Sequence, residues 1–172
     1  TVMVRGEGIY TWDDQGKQYL DAMSGMWSAA LGYSETRLEE AALRQMKQLP
    51  YHQNFAHRST EPAIQLAERL ISLAPVPMSK VLFACSGSEA NDTAIKLVWY
   101  YWSALGQPQR RKIISRNRAY HGTTIASASL TGLGHLHQDF GLPLPGFLHV
   151  TCPHYYREGL PGESEEAFST RL

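Results

Sequence analysis

Two short strings carry the residue types that could do chemistry. The first is Ser86-Gly87-Ser88-Glu89. A helix starting here leaves the N–H groups of its first turn unpaired, at the positive end of its dipole. Gly87 lets a ligand come close to the backbone, and Ser86 and Ser88 add hydroxyl donors. That set of groups suits a phosphate. It equally suits a plain helix cap, because serine is a preferred N-cap and Glu89 stands at capping-box distance. Residue types alone leave both readings open. The second string is Tyr120-His121-Gly122. Tyr120 offers either a stacking surface for a flat ring or an ordinary core aromatic at a strand end. Gly122 allows close packing there, and His121 serves as a structural histidine or a proton carrier. His52, His57, His135, His137, His149 and His154 show no metal-ligand spacing, so no metal is assigned.

Both strings need elements to hold them. Residues 81–85 form a short apolar run suited to a strand buried on both faces. Behind Ser86, a helix is predicted from the recurrence of Ala90, Ala94, Leu97, Val98, Tyr101, Trp102 and Leu105, with Gly106 and Pro108 as its stop. Ile113-Ile114 starts a second strand, a helix is predicted over 123–130, and 147–150 is a third strand candidate. Upstream, residues 9–12 and 18–21 flank a turn composition and read as a hairpin. Residues 23–33 read as a loop around Trp27. Ser34 is the expected cap of a helix reaching about residue 49, and Thr60 that of a helix carrying Ala63, Ala67, Leu70, Ile71 and Ala74 on one face. The order strand, helix, strand, helix, strand indicates an α/β domain with a mainly parallel sheet. Ligands bind beyond the carboxyl ends of such strands, where both strings fall.

The longer string SGSEANDTAIKL, with YHG further on, resembles the class III aminotransferases, pyridoxal-phosphate enzymes of fold type I. The likeness extends to GIYTWDDQGKQYLDAMSGMWSAALGY, LPYHQNFAHRSTEPAIQLAERL and HVTCPHYYR, in order along nearly the whole chain. Cys85 is a departure, since relatives often have Asn there. The resemblance implies an N-terminal segment over 1–59, with a hairpin, loop, helix and linker, and an incomplete large domain over 60–172. It implies pyridoxal 5'-phosphate as cofactor, with Ser86, Gly87 and Ser88 on its phosphate and Tyr120, His121 and Gly122 about its ring. Met26 and Trp27 would line a substrate pocket, with Ser28 beside them, and Phe55 would join them, often from a neighbouring subunit. Core or interface packing is the other reading of Trp27 and Phe55.

The implied reaction is transfer of an amino group from an amine or ω-amino acid to a keto acid such as pyruvate, by a ping-pong route, in a homodimer. The family's Schiff-base lysine and its pyridine-nitrogen carboxylate lie downstream of this stretch. None of Lys17, Lys47, Lys80, Lys96 and Lys112 matches that lysine, so no catalytic residue is assigned. The chain reads as the first part of a longer enzyme, inactive by itself. Two other readings are an aminomutase or decarboxylase on the same scaffold, and a non-catalytic α/β fragment with a residual phosphate site.

Composition fits a globular domain: of 172 residues, 43% are hydrophobic and 19% charged. A formal net charge of zero gives no electrostatic case for nucleic acid or an anionic membrane. The cluster Arg110, Arg111, Lys112, Arg116 and Arg118 reads as a solvated face. No apolar run is long enough to span a bilayer. Cys85 and Cys152 read most simply as free thiols of a cytoplasmic protein, with a disulfide between them left open.

Overall fold

The computed structural model describes residues 1–172. It divides into two compact units, Thr1–Lys80 and Val81–Leu172, each described by itself.

In the first unit, β1 (Met3–Glu7), β2 (Tyr10–Asp13) and β3 (Gln18–Leu20) form an antiparallel meander in that order. The predicted hairpin is its second half, and β1 adds a strand on the outer side of β2. Asp13 builds the β2–β3 turn. Its Oδ1 accepts from the Gln15 and Lys17 N–H groups at 3.0 and 2.9 Å, and its Oδ2 from the Tyr19 hydroxyl at 2.8 Å. The Tyr19 bond is the main cause that holds the Asp13 carboxyl below its usual range. Two helices follow, α1 (Thr36–Gln48) and α2 (Glu61–Leu73). The expected cap of α1 at Ser34 is displaced by one residue. Ser34 is left-handed, with φ +60°, and its hydroxyl donates to the Gly6 carbonyl at 2.9 Å. Glu35 caps in its place, accepting from the Arg37 N–H at 3.2 Å and pairing with the Arg37 guanidinium at 2.6 Å. On α2, Ala63, Ala67, Ile71 and the following Ala74 are half-buried, while Leu70 is exposed.

The second unit contains α3 (Gly87–Ala104), β4 (Ile113–Arg116), α4 (Ile125–Leu130), β5 (Phe147–Val150), α5 (Tyr155–Glu158) and α6 (Glu165–Arg171). Strands β4 and β5 pair in parallel, from Ile113 opposite Phe147 to Arg116 opposite Val150. Helix α4 lies in the crossover that parallel pairing requires. One sheet face carries Ser115 and Phe147, both buried, while Ile114, Leu148 and Val150 on the other face are exposed.

One expectation is corrected. Residues 81–85 form no strand, and Leu82 and Phe83 are exposed. A strand needs a ladder partner, and β4 and β5 pair only with each other. On α3 the row that packs within this chain shares only Trp102 with the apolar row read from the sequence. Leu97, Val98, Tyr101 and Leu105 are exposed; Ser88, Asn91, Asp92, Ile95, Trp99 and Trp102 face inward, with Ile95 buried. Trp99 meets Phe147 edge-on with ring centroids 6.5 Å apart. Polar bonds to α4 and to the loop before it set this rotation of the helix, as the site below shows.

Helix α6 is fixed at its start by the Ser164 hydroxyl, which accepts from the Ala167 N–H at 3.1 Å, and by Phe168, buried against the Tyr155 ring. Its last turn is tied by Arg171, which donates to the two Glu163 oxygens at 2.7 and 2.8 Å. Those bonds, with one from the Leu160 N–H, lower the Glu163 carboxyl to about 2. A lowered folded value means the contribution is complete above the ordinary glutamate value of 4.5 and is lost as pH falls from there through about 2. A carboxyl-carbon NMR titration of Glu163 is expected to show a midpoint near 2; a midpoint at 4.5 would show the pair to be open in solution.

Both cysteines are free. No helix is long and apolar enough to cross a membrane.

Candidate functional site

The start of α3 is a closed cap with open amides. The Ser86 hydroxyl accepts from the Glu89 N–H at 3.2 Å, and the Glu89 carboxylate accepts from the Cys85 N–H at 2.8 Å. The capping box therefore closes one residue further back than its usual form. The N–H groups of Gly87 and Ser88 find no acceptor in the protein. A Cβ built on Gly87 meets nothing within 4 Å. Two free amides, two serine hydroxyls and the positive end of an 18-residue helix thus share one turn, with open space over Gly87, which is the donor set a phosphate needs.

Residues 120–122 are brought to this turn by a network of side chains. The Ser88 hydroxyl accepts from the Thr123 N–H at 3.1 Å. The Asn91 amide donates to the His121 carbonyl at 2.7 Å, and the His121 N–H donates to the Thr131 hydroxyl at 2.9 Å. Asp92 holds α4 from the side: one carboxylate oxygen accepts from the Ser127 N–H at 2.9 Å, the Ser127 hydroxyl at 2.7 Å and the Thr124 hydroxyl at 2.8 Å. Helix α4 has no side-chain cap of its own, so Asp92 of α3 takes that part. Ser127, Ser129 and Thr131 are completely buried. Gly122 has φ +132° and sits against α3, where a Cβ would lie 2.3 Å from the Ser88 Oγ. Of the six cofactor candidates, Ser86, Gly87 and Ser88 therefore lie in one turn, and His121 and Gly122 lie against it through backbone and packing. Tyr120 precedes them with its side chain 60% exposed.

The substrate-wall candidates lie in the first unit. Met26 and Trp27 are exposed and stand on an unusual turn. Ser24, Gly25, Met26 and Trp27 all have positive φ, at 49°, 57°, 60° and 65°, so the backbone makes one left-handed helical turn. For a residue with a Cβ that conformation costs about 1–2 kcal/mol. The compensation comes from Asp21. Its carboxylate accepts from the Met23 N–H at 3.1 Å, the Gly25 N–H at 2.8 Å and the Tyr33 hydroxyl at 2.5 Å. The Tyr33 bond, then the Gly25 amide, hold the Asp21 carboxyl below its usual range, and the same Tyr33 bond pushes that phenol up. Ser28, beyond the turn, donates its hydroxyl back to the Gly25 carbonyl at 3.0 Å. Phe55 is exposed in the irregular segment between α1 and α2.

Sequence reading missed Asp21, Tyr33, Asn91, Asp92, Ser127 and Thr131. The signal for Asp92 was there: Asn91-Asp92-Thr93 breaks an otherwise apolar helix at the row facing Ser127 and Thr124.

An α/β unit with a phosphate-competent helix start, pinned to the loop that follows a parallel strand, defines a class of anion-binding α/β proteins. Comparison with known proteins makes the class specific. The family model for aminotransferase class III matches residues 1–172, and the chain belongs to that family. It is 55% identical over 172 residues to vanillin aminotransferase of Capsicum chinense, with 99% of this chain and 38% of that protein covered. Against gamma-aminobutyrate transaminase 1, mitochondrial, of Oryza sativa subsp. indica, identity is 53%, covering 99% of this chain and 33% of the relative. Among solved structures, the omega transaminase of Pseudomonas jessenii in complex with PMP superposes with a TM-score of 0.96 at 60% identity, covering 99% of this chain and 38% of that one. A thermostable omega transaminase variant, altered at a tryptophan, a phenylalanine and an arginine and engineered for asymmetric synthesis of enantiopure bulky amines, gives a TM-score of 0.96 at 58% identity, again over 99% of this chain and 38% of that one. The chain thus spans well under half the length of the relatives it matches.

Proposed function

We propose that this chain forms part of a pyridoxal 5'-phosphate-dependent transaminase that moves an amino group from an amine or ω-amino acid to a keto acid such as pyruvate. The observation that carries the reading is the start of α3: free Gly87 and Ser88 amides beside the Ser86 and Ser88 hydroxyls, with open space over Gly87, in a class III chain. These groups hold the cofactor phosphate. Tyr120 covers the ring face, while His121 and Gly122 set the position of Tyr120 against the phosphate turn. When bound, the cofactor supplies an electron sink for proton removal next to nitrogen. None of the five lysines here serves as its covalent anchor, so the chain needs the rest of a longer enzyme to turn over.

Residues 60–172 belong to the cofactor-binding domain of fold type I, whose mainly parallel sheet begins with β4 and β5. The exposed apolar face of Ile114, Leu148 and Val150 supports this, because parallel sheets are covered on both faces. Met26, Trp27 and Phe55 form a substrate wall. Support comes from the bulky-amine variant, whose altered tryptophan and phenylalanine are separated along their chain as Trp27 and Phe55 are here. An aromatic wall favours apolar amines. The enzyme works as a homodimer, in the cytoplasm; the rice relative is a mitochondrial protein, so the compartment is a property of each relative.

Gly87→Val in the complete enzyme tests the seat. Its Cβ meets no protein atom within 4 Å, so thermal stability is expected to stay within about 1 kcal/mol of the parent. Cofactor affinity in equilibrium dialysis is expected to fall by roughly tenfold or more, since the side chain occupies the space a phosphate would enter. Unchanged affinity would remove α3 as the phosphate seat.

A further inference from the structure

We infer that Asp21 and Tyr33 are positioning residues for the substrate wall, acting through the left-handed turn that carries Met26 and Trp27; the inference rests on the wall reading above. Trp27 is 77% exposed in this chain, so no packing within residues 1–172 orients it. What fixes it is the backbone beneath, which is left-handed from Ser24 to Trp27. An isolated peptide of this sequence would relax to right-handed or extended forms. The turn persists because Asp21 ties both ends of its entry, at the Met23 and Gly25 N–H groups.

Asp21 is itself located from two sides. Its N–H donates to the Ile9 carbonyl at 2.9 Å, and its Oδ2 receives the Tyr33 hydroxyl. Tyr33 is held on the meander by a two-bond bridge to Gly8, at 2.8 and 3.1 Å. The Tyr33 ring lies over Gly6, where a Cβ would come within 2.5 Å of its Cγ. A continuous path therefore runs from β1 through Tyr33 and Asp21 to the backbone of Trp27. Three acceptor bonds on one half-buried carboxylate exceed what a loop needs merely to stay closed. They specify one backbone form that sets where the Trp27 indole stands. The charge states are compatible across neutral pH. Asp21 is held ionised down to pH values below its ordinary range, and Tyr33 keeps its proton to values above its own.

The test uses the complete enzyme and two donors with one keto acid: 1-phenylethylamine, which is large and aromatic, and isopropylamine. Asp21→Ala is expected to shift the kcat/KM ratio of the two donors by roughly tenfold, mainly through KM for the aromatic donor, as a misplaced wall would. Tyr33→Phe, which retains the ring over Gly6 and folds more safely, is expected to move the ratio in the same direction by about threefold. Asp21→Asn keeps one carbonyl acceptor and falls between parent and Asp21→Ala. Amide exchange over residues 23–28 should quicken in each variant without change at α3, and cofactor affinity should hold. In a Trp27→Ala background, Asp21→Ala should leave the ratio where Trp27→Ala put it. A ratio moved by Trp27→Ala but untouched by Asp21→Ala and Tyr33→Phe overturns the positioning role alone. Equal loss toward both donors does the same, since that is what general unfolding gives. A ratio that Trp27→Ala itself leaves unchanged overturns the wall reading, and this inference with it.

Discussion

Asp92→Ala is expected to destabilise the second unit by about 3–5 kcal/mol, the largest stability loss of any single side chain in the site. The carboxylate oxygen accepts three hydrogen bonds, from the Ser127 N–H, the Ser127 hydroxyl and the Thr124 hydroxyl. Bonds to a charged acceptor contribute about 1.5–3 kcal/mol each and do not add fully. Removing the acceptor does more than delete them. Ser127 is completely buried, so its amide is left with no partner and no water. Its hydroxyl still reaches the Ser88 carbonyl at 2.9 Å, which limits the damage to one donor. Helix α4 loses its N-terminal cap, because Thr124 makes no side-chain cap bond of its own. Asp92→Asn retains one carbonyl oxygen in place and should lose less than half as much. Chemical denaturation of the complete enzyme, with amide exchange over 121–131, reads both variants. A loss under about 1 kcal/mol for Asp92→Ala would show that water replaces the carboxylate, and that the network does not hold α4.

How much of this was legible in the sequence differs by element. Helix α3 was placed from Ser86 because a cap, a capping-box glutamate and helical spacing agree at one point. Strand β5 was placed because Phe147-Leu148-His149-Val150 is short, apolar and follows a glycine. What the sequence did not show was which face of that helix packs within this chain. Hydrophobicity marks the row of Leu97, Val98 and Tyr101, yet the side that meets α4 bears Ser88, Asn91 and Asp92. Polar pairing across two elements is invisible to a count of apolar residues along one of them. The same limit hid Asp21 and Tyr33. Nothing local in the 21–33 stretch shows that a phenol twelve positions on will bond a carboxylate. The run 81–85 illustrates the converse. Its composition is that of a buried strand, but a strand forms only where a neighbour offers hydrogen bonds, and within this chain none does.

The second large effect is expected at Gly122. A Cβ there would stand 2.3 Å from the Ser88 Oγ, 2.9 Å from the Ser127 Cβ and 3.0 Å from the Ser88 Cα. The first contact can be relieved by rotating the Ser88 hydroxyl, but that hydroxyl accepts from the Thr123 N–H, a bond that would be lost. The other two involve atoms that cannot rotate away, so α3 and the 121–123 segment must separate. Backbone form adds to this, since φ +132° is a region that residues with a side chain avoid. Gly122→Ala is therefore expected to cost about 3 kcal/mol, at the upper end of overpacking. It should also reduce pyridoxal-phosphate affinity by about a hundredfold, because a shift of about 1 Å in the first turn of α3 misaligns both free amides. Ser88→Ala by itself is expected to weaken the cofactor only modestly, as one hydroxyl among several donors is lost. In combination the two should be far from additive: without its Oγ, residue 88 no longer meets the worst contact, and part of the stability lost to Gly122→Ala should return. Equilibrium dialysis and denaturation of the four-member cycle in the complete enzyme give the coupling. A cycle that closes additively would mean that the 121–123 segment moves freely of α3, and that the proposed cofactor seat is held by α3 alone.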